Sequence, residues 1–160
     1  MRDLEITAEN KMHDTIRNIA YDADRKDAFF VSRPHEIIEK YNQWENLLPD
    51  IQPHYVVKCN YDRQVLHTLK ALQSSFSCSS KTEVTKLMSM GVNAERIIFS
   101  CPIMLSSHVK LAKSYKLSTI TFETKADLEK IHTIYPEAKL IICAGPTDCK
   151  DEFKFGCGTI

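Results

Sequence analysis

The segment His54-Tyr-Val-Val-Lys-Cys-Asn60 decides the fold. Tyr55, Val56 and Val57 form a short apolar, β-rich run, and Lys58 closes it where a strand would hand over to a loop. Moving outward, comparable runs begin near Phe76, Ile97, Ser118 and Lys139, so a unit of about 21 residues recurs. A helical stripe separates each run from the next. Short strands alternating with helices predict parallel strands joined by crossover helices. A lysine at such a junction lays its stem along an apolar wall and holds its amine at the mouth. Most lysines so placed simply reach out to water. A desolvated amine there is also a nucleophile toward an aldehyde.

Helix signals place the runs. Asp62 can cap a helix whose stripe is Val65, Leu66, Leu69 and Leu72. Ser80-Lys-Thr-Glu83 reads as a capping box ahead of Val84, Leu87 and Met88, ended by Gly91, and Thr124-Lys-Ala-Asp127 repeats the device before Leu128 and Ile131. Upstream, Asp27-Ala-Phe-Phe-Val-Ser32 reads as a leading strand. Pro34 suits the first turn of a helix carrying Ile37, Ile38, Tyr41 and Trp44. Residues 1–25 are polar and weakly periodic and form an N-terminal extension, which leaves residues 26–160 for the β/α array.

The fold expected is therefore α/β, an incomplete (β/α) TIM-like barrel of about five βα units after a leading strand and helix. A closed barrel takes eight strands and about 250 residues, against 160 here. Lys58, Ser77, Cys101 and Cys143 each end or nearly end an apolar run, so they are expected at one strand-end rim, where barrel sites collect. An unpaired edge, with an inner face expected to be rich in Val, Ile and Phe, predicts self-association or dependence on a partner.

Composition removes several classes. With 43% hydrophobic residues the chain is too apolar for disorder, and a net charge of zero does not suit a general nucleic-acid binder. No apolar run reaches the length of a membrane span, and no hydrophobic core follows Met1-Arg-Asp-Leu-Glu-Ile, so a cytoplasmic protein without a membrane role is expected. Cys59, Cys78, Cys101, Cys143, Cys149 and Cys157 include no Cys-x-x-Cys pair, and several sit in apolar segments. Reduced, mostly buried thiols are expected, with no disulfide and no metal site.

Taken together, HYVVKCN, Phe76-Ser-Cys-Ser-Ser-Lys-Thr-Glu83, Gly91-Val-Asn-Ala-Glu-Arg-Ile-Ile-Phe-Ser100 and Tyr135-Pro-Glu-Ala-Lys-Leu140 resemble the N-terminal part of the eukaryotic ornithine decarboxylase and antizyme inhibitor family. The likeness runs from about Lys26 to Thr159. It implies a barrel that binds pyridoxal phosphate (PLP), with Lys58 at the Schiff-base position and Glu83 at a family acid near the cofactor. Two positions depart from the enzymes. Ser77 stands where they have an aspartate, and Cys143 where they have an arginine. The family's phosphate loop, ring-stacking histidine and pyridine-facing glutamate correspond to sequence beyond residue 160. The resemblance thus implies a non-catalytic protein that does not hold PLP stably.

Within the family, Phe76-Ser-Cys-Ser-Ser80 looks more like antizyme inhibitor than like the enzyme. The family's antizyme-binding element corresponds to Ser106 through Glu129, with Lys110, Lys113, Lys116, Lys125 and Lys130 as the basic residues available to a partner. The expected partner is antizyme, with self-association or pairing with a family paralogue beside it. Two other readings stay open: a residual PLP-binding module, and a truncated product without a function of its own.

Overall fold

Parallel strands cannot be joined by a tight turn, so each repeat has to spend a helix on returning the chain to the same end of the sheet. The computed structural model, which describes residues 9–22 and 27–144, shows this pattern throughout its larger unit. The chain divides into two units, Met1–Arg33 and Pro34–Ile160.

In the first unit, α1 (Glu9–Ala20) carries Met12, Ile16 and Ile19 half-buried along one stripe. The weak periodicity read in residues 1–25 therefore conceals a helix. The leading strand expected over Asp27–Ser32 is not formed: these residues are irregular, and Phe30 is fully exposed. Phe29, Phe30 and Val31 signal β propensity, but propensity alone does not make a strand.

The second unit opens with α2 (Pro34–Leu47), followed by β1 (His54–Val56) and a 3-10 turn (Val57–Cys59). Then come α3 (Arg63–Ala71), β2 (Ser75–Cys78), α4 (Lys81–Ser89), β3 (Ile97–Phe99), α5 (Ser106–Ser114), β4 (Thr119–Phe122), α6 (Lys125–Ile134) and β5 (Lys139–Ile142). The strands form one five-stranded sheet in the order β1-β2-β3-β4-β5. Every pairing is parallel, and the register sets Tyr55 opposite Phe76, Phe76 opposite Ile97 and Ile98 opposite Thr119. The sequence repeat is thus the ladder register. Cys149 and Cys157 lie outside the described residues.

The expected caps are present. Asp62 accepts from the backbone N–H groups of Gln64 (2.8 Å) and Val65 (3.3 Å). Ser80 accepts from Glu83 N–H at 3.2 Å, while the Glu83 carboxylate reaches past Ser80 to accept from Ser79 N–H at 2.7 Å. The reciprocal half of this box is therefore displaced by one residue. Gly91 ends the α4 segment at φ +72°, where a side chain would be strained. At α5 the cap comes from an unexpected residue: Leu105 donates its N–H to Nδ1 of His108 at 3.3 Å.

The core lies between the helices and one face of the sheet. Phe76, Cys78, Ile97, Phe99 and Ile120 occupy that face and are fully buried against Leu66, Leu87, Val109 and Ile131. The alternate residues of the strands, Val56, Ser77, Ile98, Thr119, Thr121 and Ile141, form the opposite face. The inner face is thus only partly apolar. Its expected phenylalanines point to the helices, because strand alternation sends neighbours to opposite sides.

Neighbouring repeats are tied by cations that reach carbonyl groups. Lys70 donates to Met90 O at 2.5 Å, Lys86 to Tyr61 O at 2.8 Å and Lys113 to Ile134 O at 2.9 Å, while Lys130 donates to Met104 O. Arg96 serves several acceptors at once: Nε donates to Ser74 O at 3.0 Å, and its terminal nitrogens reach Lys70 O and the Gln73 side chain. Its guanidinium also lies over the Phe76 ring. Arg96→Ala should cost about 2 kcal/mol, because it strands part-buried carbonyls. A melting experiment should show this as a fall in Tm of roughly 4–8 °C.

Asp127 gives a pH-dependent counterpart. Burial pushes its carboxyl up, but hydrogen bonds from Thr124 and Lys130, with the Lys130 charge, outweigh it and hold Asp127 below the usual carboxylate value. A group lowered on folding contributes stability above its unfolded pKa and loses it as pH falls through the folded one. Wild type should therefore exceed Asp127→Asn in stability by a constant margin above about pH 4, and the margin should shrink below it. Paired denaturant titrations across that range would read it.

Candidate functional site

All strands point the same way, so their C-terminal ends share one rim, and the repeat delivers its polar residues there. Lys58 lies in the 3-10 turn that leaves β1 and is exposed. Ser77 is half-buried in β2, with Cys78 wholly buried beside it. Cys101 follows β3 and donates its thiol to Ile103 O at 3.3 Å. Cys143 follows β5 and donates its N–H to Phe122 O at 3.0 Å. The predicted rim residues therefore do occupy one end of the sheet.

They are not all neighbours. Lys58, Ser77 and Glu83 come from adjacent repeats, whereas Cys143 follows the far edge strand, about 19 Å along the sheet at the usual strand spacing. Glu83 is buried and already engaged, since Ser79 gives it both its N–H and its hydroxyl, the latter at 3.3 Å. The wall expected around Lys58 is incomplete. Val57 is buried and Tyr55 half-buried, but Val56 is exposed and β1 is an edge strand among the described residues.

The loop after Lys58 is steadied by contacts that carry no sequence signal. The Tyr55 hydroxyl donates to Asn60 O at 3.2 Å, and the Lys86 ammonium sits 3.5 Å from the centre of the Tyr61 ring. Ser100 and Thr121 add a hydroxyl pair on the same rim, 3.2 Å apart. The Lys86–Tyr61 and Thr121–Ser100 pairs join different repeats, so only the folded chain brings them together.

The basic residues of the Ser106–Glu129 stretch divide into two groups. Lys110 and Lys116 are exposed on and just after α5. Lys113 and Lys130 are committed to the carbonyls of Ile134 and Met104, and Lys125 pairs with Glu129 at 3.7 Å in full exposure, a contact of little energetic weight. Among the described residues, no cluster of His, Cys, Asp and Glu could hold a metal ion, and no helix is long and apolar enough to cross a membrane.

Comparison with known proteins agrees with this geometry. The family profile "Pyridoxal-dependent decarboxylase, pyridoxal binding domain" matches residues 34–159. The chain belongs to the ornithine decarboxylase family of pyridoxal-dependent decarboxylases. It is 37% identical over 135 residues to a probable ornithine decarboxylase of Dictyostelium discoideum, covering 84% of this chain and 29% of that protein. It is 35% identical over 158 residues to the ornithine decarboxylase of Mus musculus, covering 96% of this chain and 34% of that one. The chain thus spans about a third of the length of the curated relatives it matches.

Among solved structures it superposes on the arginine decarboxylase of Paramecium bursaria Chlorella virus with a TM-score of 0.77 and 34% identity, over 81% of this chain and 35% of that one. On the lysine/ornithine decarboxylase of Vibrio vulnificus the TM-score is 0.78 at 22% identity, over 95% of this chain and 40% of that one, which speaks for the fold alone.

The family depends on pyridoxal phosphate, which supplies an electron sink when bound. The described rim of this decarboxylase-family chain fits that group only in part. Lys58 offers an exposed amine for its aldehyde. Both Glu83 oxygens accept from Ser79, and Lys81, the next rim cation, is turned to Ser107 Oγ at 3.3 Å. The described residues supply a point of attachment without a grip on phosphate or ring.

The rim cysteines differ in reactivity. Burial, with the Glu83 charge adding to it, pushes the Cys78 thiol up to about 12, whereas Cys59 stands exposed beside Lys58. Brief treatment of the native protein with iodoacetamide should label Cys59 and spare Cys78 until denaturant is added. Mass mapping that found Cys78 labelled first would contradict this placement.

Proposed function

We propose that this chain is a non-catalytic, antizyme-inhibitor-like member of the ornithine decarboxylase family, raising polyamine synthesis by occupying antizyme. The observation that carries the reading is the chemistry of the rim. Serine at 77 and cysteine at 143 occupy positions where the resemblance expects an aspartate and an arginine, so Lys58 keeps the attachment chemistry without the charged partners. A lysine alone neither orients nor activates a cofactor. The uninterrupted helix-strand-helix from Ser106 to Glu129 supports the partner half, because α5 presents Lys110 and, just beyond it, Lys116 to solvent. Cations spaced in this way favour encounter with an acidic surface.

A pull-down with antizyme tests the reading directly. The double variant Lys110→Glu and Lys116→Glu should weaken capture by about tenfold or more, with wild-type binding falling as salt rises. Lys113→Glu should also lower thermal stability, since it removes a tie to the end of α6. Unchanged affinity in the double variant would refute the basic interface.

A second reading, a residual cofactor module, draws on the exposed Lys58 amine. Mixing the chain with PLP and reducing with borohydride should leave Lys58 little modified under the first reading. Stoichiometric labelling of Lys58, lost in Lys58→Ala, would favour the second. Ser77→Asp combined with Cys143→Arg should release no carbon dioxide from ornithine above the Lys58→Ala control.

A further inference from the structure

The lysine ties of the larger unit follow a period of two βα units rather than one. At the end of the sheet away from the rim, Lys70 of α3 donates to Met90 O at the end of α4, and Lys113 of α5 donates to Ile134 O at the end of α6. At the rim the direction reverses. Lys86 of α4 donates back to Tyr61 O, in the loop ahead of α3, and Lys130 of α6 donates back to Met104 O, in the loop ahead of α5. Donor and acceptor stand 25 residues apart in the first case and 26 in the second. The chain also leaves α3 and α5 alike. Gln73 and Lys116 take the left-handed conformation at φ +63° and +56°, which side chains other than glycine seldom adopt, and the N–H groups of Ser74 and Leu117 then close on Leu69 O at 3.0 Å and Ala112 O at 2.9 Å.

Rim loops alternate on the same period. After β2 and β4 the connection is two residues long and ends in a side-chain cap: Ser80 accepts from Glu83 N–H at 3.2 Å, and Thr124 from Asp127 N–H at 3.1 Å. After β1 and β3 it is six residues long, 57–62 and 100–105. A longer loop has more conformations to lose, and a charged donor on its carbonyl restricts them. Each long loop carries a nucleophilic side chain at its second position, Lys58 in one and Cys101 in the other.

Lys86 grips the first loop twice, through Tyr61 O at 2.8 Å and through the face of the Tyr61 ring, 3.5 Å from its centre. In the second loop the Cys101 thiol donates to Ile103 O at 3.3 Å, next to the carbonyl that Lys130 takes, and Lys130 is itself held by Asp127 at 3.1 Å. We propose that Lys86 and Lys130 are positioning residues, equivalent in the two halves of the array, which fix the rim loops that present Lys58 and Cys101. Their action is local to one loop each and independent of antizyme and of cofactor binding.

Hydrogen exchange read by mass spectrometry on the 160-residue chain tests this, with Lys86→Met and Lys130→Met, which keep an apolar stem and remove the cation. Amides of residues 57–62 should exchange about threefold or more faster in Lys86→Met while residues 100–105 stay at the wild-type rate, and Lys130→Met should show the reverse. Lys86→Arg, which retains charge and donors, should restore wild-type protection. Iodoacetamide should label Cys101 about threefold faster in Lys130→Met, because the thiol's bond to Ile103 O lies within the freed loop, and at the wild-type rate in Lys86→Met. Lysines that merely add stability would speed exchange in both loops and in β2 and β3 together when removed, and that result would overturn the proposal. So would unchanged exchange in the loop that each lysine grips, or a Lys86→Arg chain no better protected than Lys86→Met. The Lys86 variants decide the matter alone where Lys130→Met fails to fold.

Discussion

Main-chain hydrogen bonding between strands one repeat apart is the constraint on which this structure depends. Strands of three or four residues have no stability of their own, so each exists only where its neighbour lies in register. The roughly 21-residue period supplies that register, and a crossover helix in each period covers one face of the sheet. Phe76, Phe99, Ile97 and Ile120 are buried for this reason. The other face carries serine and threonine among its aliphatics, and the two edge strands keep backbone groups unpaired among the described residues. Asp27–Ser32 suits a strand by its residue types, yet it forms none.

A second layer of order comes from cations aimed at carbonyls. Lys70, Lys86, Arg96, Lys113 and Lys130 each cross to an adjacent repeat and neutralise an orphan oxygen at a helix or strand end. The contacts of Lys70, Arg96 and Lys130 resist removal because the carbonyl left behind is partly buried. They also decide which charges remain for chemistry or recognition. Formal charge counts treat Lys110 and Lys113 alike, yet one stands in solvent and the other closes the end of α6.

The rim shows what the family architecture delivers through topology. Parallel strands deliver Lys58, Ser77 and Glu83 to one neighbourhood in any sequence that keeps the repeat. Whether that neighbourhood can hold a cofactor depends on a few charged side chains. Here Ser79 absorbs the Glu83 carboxylate, and the charge of that carboxylate, added to burial, keeps Cys78 protonated. The Glu83 carboxylate thus serves the start of α4.

The sequence by itself determined the βα period, the caps at Asp62, Ser80 and Thr124, the common rim of Lys58, Ser77, Cys101 and Cys143, and, through the segments around Lys58 and Glu83, the family. These are local or strictly periodic features, and periodicity maps directly onto parallel register. It concealed α1, whose short stripe is diluted by polar residues, and it overstated the strand at Asp27–Ser32. Only the tertiary structure decided which lysines are spent on carbonyls, which donors Glu83 accepts from, that Tyr61 meets Lys86, and which strand faces meet the helices. Most of these join residues from different repeats, and the preference of a side chain for a distant partner is written in the packing and not in the spacing of residues along the chain.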